Sequence, residues 1–310
     1  MIDIVGRRRW YFLVSGILIL VGIISMIVSQ AQLGAPLRLG TDFTGGTTMM
    51  LNFSPPVEQS VLRDEMTRQG HEGALIQAAG GGDFIIHTIQ ITSDEARDLA
   101  GLLGDELDSE VSVIDYRSTS PAVAARTARN ALIAVIIAAV AMMLYIVWAF
   151  RRMPSPFRWG TCAVMALLHD VFIIVGIFSL LGWAAGVTVD SMFITGILAV
   201  VGYSINNTVV IFDRIRENVS KQLRVGFATT VNDSLVETLG RCLNTALTTL
   251  FVLLALFLFG GATIQYFVLV LLLGVIIGTY SSLGISSQLL VVWENRDWRS
   301  LLPFASKAAK

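Results

Sequence analysis

The stretch TCAVMALLHDVFIIVGIFSLLGW, Thr161 to Trp183, decides the architecture. A membrane-crossing helix needs roughly twenty mostly apolar residues to traverse about 30 Å of hydrocarbon. This run has that length, and His169 and Asp170 are its only acidic or basic side chains apart from the thiol of Cys162. Working outward, the same reading predicts five more spans: Trp10–Val28, Ala131–Phe150, Ser191–Phe212, Val236–Phe259 and Phe267–Val291. Composition agrees, since 54% of the 310 residues are hydrophobic and 15% are charged, too few to cover a soluble surface. The expected fold class is an α-helical polytopic membrane protein with six transmembrane helices and a small α+β, ferredoxin-like domain between the first two.

The first run has a basic flank, and Ser29-Gln30-Ala31 follows it, which invites a signal-peptide reading. Its apolar core is longer than a signal h-region, and its removal would leave five spans with opposite termini. Lys and Arg near span ends set orientation. Arg7, Arg8 and Arg9 precede the first span, and Arg151, Arg152 and Arg158 join the second to the third. Arg214, Arg216, Lys221 and Arg224 join the fourth to the fifth, and Arg296, Arg299, Lys307 and Lys310 follow the sixth. Six spans put all four segments on one side, expected to be cytoplasmic; Arg126 and Arg129 are the exception. The expected organisation is residues 1–29 as N-terminus and first span, 30–125 as extracytoplasmic domain, 126–295 as five-helix region and 296–310 as cytoplasmic tail.

The outer domain is acidic and alternates its elements. A strand over Thr47–Phe53 follows the Gly45-Gly46 turn, and Pro55-Pro56 is expected to open a helix over Val57–Gln69. Strands near Ala74–Ala78 and Asp83–Gln90 flank three glycines, and Thr92 or Ser93 caps a helix to Leu107. A strand over Glu110–Tyr116 ends the set, giving the β-α-β-β-α-β, ferredoxin-like order.

The chemistry-bearing residues lie in the spans. Ionisable groups there are costly and often mark ion paths. His169 and Asp170 lie mid-way along the third span, Asn206 and Asn207 inside the fourth with Asp213 at its end, and Arg241 early in the fifth. At ~1.5 Å per residue, Asp170 is roughly 13 Å deep and Asn207 and Arg241 roughly 8 Å, one layer of the cytoplasmic half. Each has a plainer reading: Arg241 snorkels and Asp213 flanks the headgroups, the asparagines glue helices, and His169–Asp170 is a structural pair. Gly274 and Gly278 form a GxxxG packing spacing. Cys162 and Cys242 build no disulfide framework, and His71, His87 and His169 lack metal-ligand spacing. No nucleophile, metal or phosphate motif is present, so neither an enzyme nor a cofactor is expected. A net charge of −1 argues against a nucleic-acid partner.

Several motifs carry a family resemblance: GTDFTGGT (Gly40–Thr47, containing Asp42, Gly45 and Gly46), LHD (Leu168–Asp170) and VGYSINNTVVIFDRIREN (Val201–Asn218, with Gly202). Arg241 with TALTT (Thr245–Thr249), LFGG (Leu258–Gly261) and GTYSS (Gly278–Ser282) complete the series in order along the chain. The sequence resembles the SecF family, the smaller membrane subunits of the SecD–SecF accessory complex of bacterial secretion. The resemblance implies membership of the resistance-nodulation-division superfamily and a SecD partner completing a twelve-span unit in the inner membrane. It implies work beside the SecYEG channel on unfolded preprotein, powered by protons or, in some bacteria, sodium, with YajC and YidC as further candidate partners beside membrane lipid. Two positions depart from the family pattern. Asn207 stands where the family has an Asp thought to couple ions, and a carboxamide does not titrate. Either Asp170 and an aspartate of the partner carry the proton, or coupling in this chain is impaired. Ser120–Arg126 keeps Pro121 and Val123 but lacks the family's two glycines before the second span. Two other classes of function stand beside this one: a scaffold subunit that conducts nothing, and a small-molecule or lipid exporter of the same superfamily. Exporters of that kind usually have both halves in one chain and larger outer domains.

Overall fold

The computed structural model describes residues 2–221 and 226–298. Arg224, Arg299, Lys307 and Lys310, expected at the cytoplasmic face, lie outside the described residues. The long helices are α1 (Arg8–Leu33), α5 (Pro121–Ala149), α6 (Pro156–Ala185), α7 (Ser191–Ser220), α8 (Phe227–Phe259) and α9 (Ala262–Ser281). A π-helical segment, Ser282–Ser286, joins α9 to α10 (Ser287–Asn295). Together they give six helical stretches long and apolar enough to cross a membrane, the sixth running Thr263–Asn295. The chain is a multi-pass membrane protein.

Most helices outrun the apolar runs that announced them. α7 continues past Phe212 because its polar extension is satisfied by ion pairs: Arg214 contacts Glu217 (2.6 Å) and Glu237 of α8, and Asn218 donates to Ser234 (2.9 Å) and Glu237 (2.9 Å). α5 starts ten residues before the expected span, with Pro121 in the first turn, where its missing N–H costs nothing. By compactness the chain divides into two units. One comprises Met1–Ser25, Ala134–Ile177 and Thr195–Lys310, the other Met26–Ile133 and Phe178–Ile194.

In the first unit burial is uneven. Half of the apolar window of α6 and of α7, and 61% of the sixth span's, is buried, against 6% for α5 and 17% for α8. Close approach replaces side chains at glycines: a Cβ on Gly274 would meet Val200 Cγ2 at 2.0 Å, and one on Gly278 would meet Ser204 Cβ at 3.0 Å. The GxxxG spacing therefore brings α9 onto α7. Nearer the N-terminus, Phe150 stacks on Trp159 (5.3 Å) and both meet Phe212 edge-on. The Asn232 side chain accepts from Ile4 N (2.8 Å) and Val5 N (3.2 Å), tying the chain start to α8.

The second unit carries α2 (Thr41–Thr44), β1 (Gly46–Ser54), α3 (Gln59–Arg68), β2 (Leu75–Gly80), β3 (Asp83–Thr88), α4 (Ser93–Glu106) and β4 (Glu110–Thr119). The antiparallel sheet is ordered β2-β3-β1-β4. Met49, Leu51 and Phe53 of β1 bury against Leu62 and Met66 of α3 and Leu99 and Leu103 of α4. α3 starts later than expected, since consecutive prolines hold the chain extended and Glu58 is still extended. Thr92 is the cap of α4, its side chain accepting from Glu95 N while Glu95 accepts from Thr92 N. The imperfect alternation of β4 has a cause. Met50 pairs with Asp115 but Leu51 pairs with Val113, so Ile114 is the extra residue of a bulge. Gly46 has φ +122°, and a Cβ there would stand 2.5 Å from Thr88 O, so only glycine starts β1 this close to β3.

Candidate functional site

The interior of α6, α7 and the sixth span holds a chain of polar groups where hydrocarbon packing would otherwise be expected. Asp170 is 1% exposed and His169 8%. Asp170 Oδ2 accepts from Ser204 Oγ of α7 (2.6 Å) and Ser281 Oγ of α9 (2.8 Å). Its other oxygen lies 2.9 Å from His169 Nδ1. His169 Nε2 lies 2.8 Å from Ser15 Oγ of α1, and Ser15 lies 3.1 Å from the Tyr280 hydroxyl.

Hydrogen-bond directions fix the proton inventory of this chain. The Tyr280 hydroxyl donates to the Tyr11 carbonyl (2.7 Å), so its oxygen accepts from Ser15. Ser15 must then accept from His169, which places a proton on Nε2. The Nδ1–Oδ1 contact holds one more proton, either on the imidazole facing a carboxylate or on the carboxyl facing a neutral ring. In both forms the pair is neutral overall. Removing that proton would set two lone pairs against each other at 2.9 Å and break the contact.

Further polar contacts between α7 and the sixth span flank this series. Asn207 is buried and its Nδ2 donates to Thr279 Oγ1 (3.3 Å), while Thr208 and Ser282 share a hydrogen bond (3.0 Å). Ser281, Ser282, Ser286, Ser287 and Gln288 have no exposed surface. Ser287 Oγ and Gln288 Nε2 reach back five residues to the carbonyls of Ser282 and Leu283, in the wide turn of the π segment. Such segments recur at functional sites.

Counted from the helix ends at Pro156, Ser220 and Phe227, the residues Asp170, Asn207 and Arg241 lie at nearly equal distances, about 20 Å along their helices. They do not all converge. Arg241 and Asn206 are exposed, and Arg241 has no ion pair among the described residues. Asp213 is exposed and pairs with Arg216 (2.6 Å). Gly202 is exposed and a Cβ added there would meet nothing within 4 Å, whereas Gly274 and Gly278 serve packing.

Residues 102–296 match the family described as protein export membrane protein SecD/SecF, C-terminal, and residues 32–57 match the SecD/SecF GG motif. The chain belongs to the SecD/SecF family. It is 39% identical to the protein translocase subunit SecF of Thermobaculum terrenum over 96% of both chains. It is 35% identical to that of Anaerolinea thermophila, covering 100% of this chain and 99% of the relative. The crystal structure of SecDF, a translocon-associated membrane protein from Thermus thermophilus, superposes with a TM-score of 0.82 at 32% identity, covering 95% of this chain and 39% of that one.

The SecD/SecF glycine motif has a structural task here. A Cβ on Gly45 would stand 3.1 Å from Pro121 at the start of α5, and Asp42 accepts from Ser191 N (3.0 Å) and from the Ser191 hydroxyl. Asp190 adds a second carboxylate, accepting from Phe193 N (2.9 Å). Two carboxylates thus cap α7, the helix that carries Asn207. Burial, with Asp42 nearby, raises the Asp190 pKa. Sequence reasoning missed Ser15, Ser204 and Ser281 as partners of the His169–Asp170 pair. The available signal was the hydroxyl-dense run SSLGISS at Ser281–Ser287 inside an apolar span.

Proposed function

We propose that this chain is the SecF-type subunit of a Sec translocase accessory complex, pairing with SecD in the bacterial inner membrane and promoting preprotein translocation at the expense of the proton-motive force. It is a transport subunit of the resistance-nodulation-division superfamily, not an enzyme, and it works beside SecYEG, with YajC and YidC as further partners. Its termini are cytoplasmic and its sheet domain is a ferredoxin-like module on the far side. The observation that carries this reading is the hydrogen-bonded series Asp170, His169, Ser15 and Tyr280 inside the bundle. One charge moved through 100 mV is worth ~2.3 kcal/mol, enough over a few protons to bias a two-state motion. The exposed Arg241, with Asn244 and Thr248 on the same face of α8, is completed by helices of SecD.

The test is Asp170→Asn, purified with SecD and reconstituted with the channel. Gradient-dependent translocation should fall at least tenfold while the gradient-independent part persists. Unchanged translocation would remove Asp170 from the path. Asn207, which holds Thr279 and carries no titratable group, favours a second reading as a scaffold without conduction. In that case dissipating the gradient changes nothing in the wild-type complex.

A further inference from the structure

Away from the polar network, the unit formed by Met26–Ile133 and Phe178–Ile194 contains a polar cavity of about 700 Å³. Ligand sites typically measure ~300–1,000 Å³. Arg38, Thr41, Thr44, Arg63, Glu72 and His87 are among its walls. The charge there is unbalanced. Arg68, Arg97 and Arg117 of the same domain each hold a carboxylate. Neither Arg38 nor Arg63 has an ion pair among the described residues, and Glu72 is the one carboxylate on the wall. Burial, aided by the Arg63 charge, lowers the pKa of Arg38. Burial and then Arg38, partly offset by the nearby Asp42 carboxylate, depress His87 to about 4, so His87 is neutral and the two guanidiniums are the cations.

The cavity also has a fixed level. Arg38 follows the end of α1 at Leu33, and Thr188, another wall residue, lies between the end of α6 at Ala185 and the start of α7 at Ser191. The backbone of Arg38 is pinned there. Its carbonyl accepts from Val189 N (2.8 Å), and Gly40 N donates to Val189 O (2.8 Å). A Cβ on Gly186 would stand 3.5 Å from Arg38 Nη1, so the side chain runs along the glycine of that turn. Arg38 stands beside the ends of three helices long and apolar enough to cross a membrane, which puts it near the level of the lipid headgroups.

We propose that this cavity binds the phosphate of an anionic phospholipid headgroup between the guanidiniums of Arg38 and Arg63. The planar fork of a guanidinium matches phosphate oxygens in pairs, and the threonine hydroxyls at the wall suit the glycerol end. A protein carboxylate would satisfy the same charges, but the position at the helix ends favours a ligand that is always present at that depth. The inference rests on reading the long helices as membrane spans and is independent of ion coupling.

Native mass spectrometry of the full chain in detergent, titrated with phosphatidylglycerol, tests it. Phosphatidylcholine is the zwitterionic control, and inorganic phosphate and an oligoglutamate peptide are the competing arms. One tightly held phosphatidylglycerol is expected. Arg38→Gln and Arg63→Gln should each weaken it about fivefold, the equivalent of ~1 kcal/mol per arginine, with thermal unfolding unchanged and phosphatidylcholine indifferent to both. Arg63 is exposed on α3, so its variant remains informative even if Arg38→Gln misfolds. Equal phosphatidylglycerol binding by wild type and the double variant would overturn the proposal. So would displacement of the lipid by equimolar inorganic phosphate, or arginine-dependent capture of oligoglutamate in place of lipid. A failed translocation test on Asp170 leaves this measurement untouched, so the two readings fail separately.

Discussion

Polar side chains in the membrane-spanning helices fall into two groups that the fold treats in opposite ways. Asp170, Ser204, Ser281, Asn207 and Thr279 turn inward and satisfy one another across α6, α7 and α9. Arg241, Asn244 and Thr248 recur at three- and four-residue intervals along an exposed face of α8, and Asn206 is likewise exposed on α7. Both groups sit in apolar helices, yet one is bonded within the chain and the other is exposed on it. A polar residue in a span thus reports two things, its depth and its direction. Direction assigns it either to the chain's own interior or to its outer surface.

The contrast predicts opposite costs. Ser204→Ala with Ser281→Ala strips both donors from Asp170 Oδ2 and should destabilise the chain by about 3–5 kcal/mol. Arg241→Gln should leave the isolated chain within about 0.5 kcal/mol of wild type. Thermal unfolding in detergent measures both, and co-purification with SecD should show the reverse order, with Arg241→Gln the weaker binder. Equal destabilisation by the two variants would erase the distinction.

Next in size is a pH effect in the sheet domain. His87 bonds Thr48 Oγ1 (2.9 Å), and burial holds its pKa near 4 in the folded state, below the ordinary 6.5. A depressed histidine stabilises the fold fully above its unfolded pKa, because the unfolded chain takes up the proton first. Stability should therefore fall as pH drops from about 6.5 towards 4, by at most about 3 kcal/mol. Hydrogen exchange of β1 and β3 amides follows this, and His87→Gln should flatten the dependence. The smallest expected effect is at an exposed, locally satisfied group: Thr92→Ala removes the capping box of α4 and should cost about 1 kcal/mol in the exchange protection of that helix.

The six spans were legible because a twenty-residue apolar run has few other folds open to it. Their ends were not. α7 runs past Phe212 with Ile215 buried in the core and Arg214 paired to Glu237, a residue of another helix. His169, Asp170 and Asn207 were legible as polar groups out of place. Their hydroxyl partners were not, since a serine in a span reads as merely small until a tertiary neighbour gives it a role. Arg241 was legible in depth but not in direction. Ser234, Thr238, Cys242 and Ala246 mark the buried side of α8, yet Arg241 stands seven residues after Ser234 and three after Thr238, so spacing along the helix does not set its direction.

The wide turn at Ser282–Ser286 also has a consequence for how this chain tolerates deletions. In a regular α-helix, residues five apart diverge by about 140° around the axis, yet Ser281, Ser282, Ser286 and Ser287 are all fully enclosed. Excising one codon from this segment would heal the spiral to ordinary pitch, because four residues at about 100° sweep nearly the same angle as five in the wider turn. Leu289, Leu290 and Val291 would then keep facing the interior they now fill. A frame-preserving loss of one residue is absorbed here, whereas in a regular stretch of the same span it would turn everything after it by about 100°.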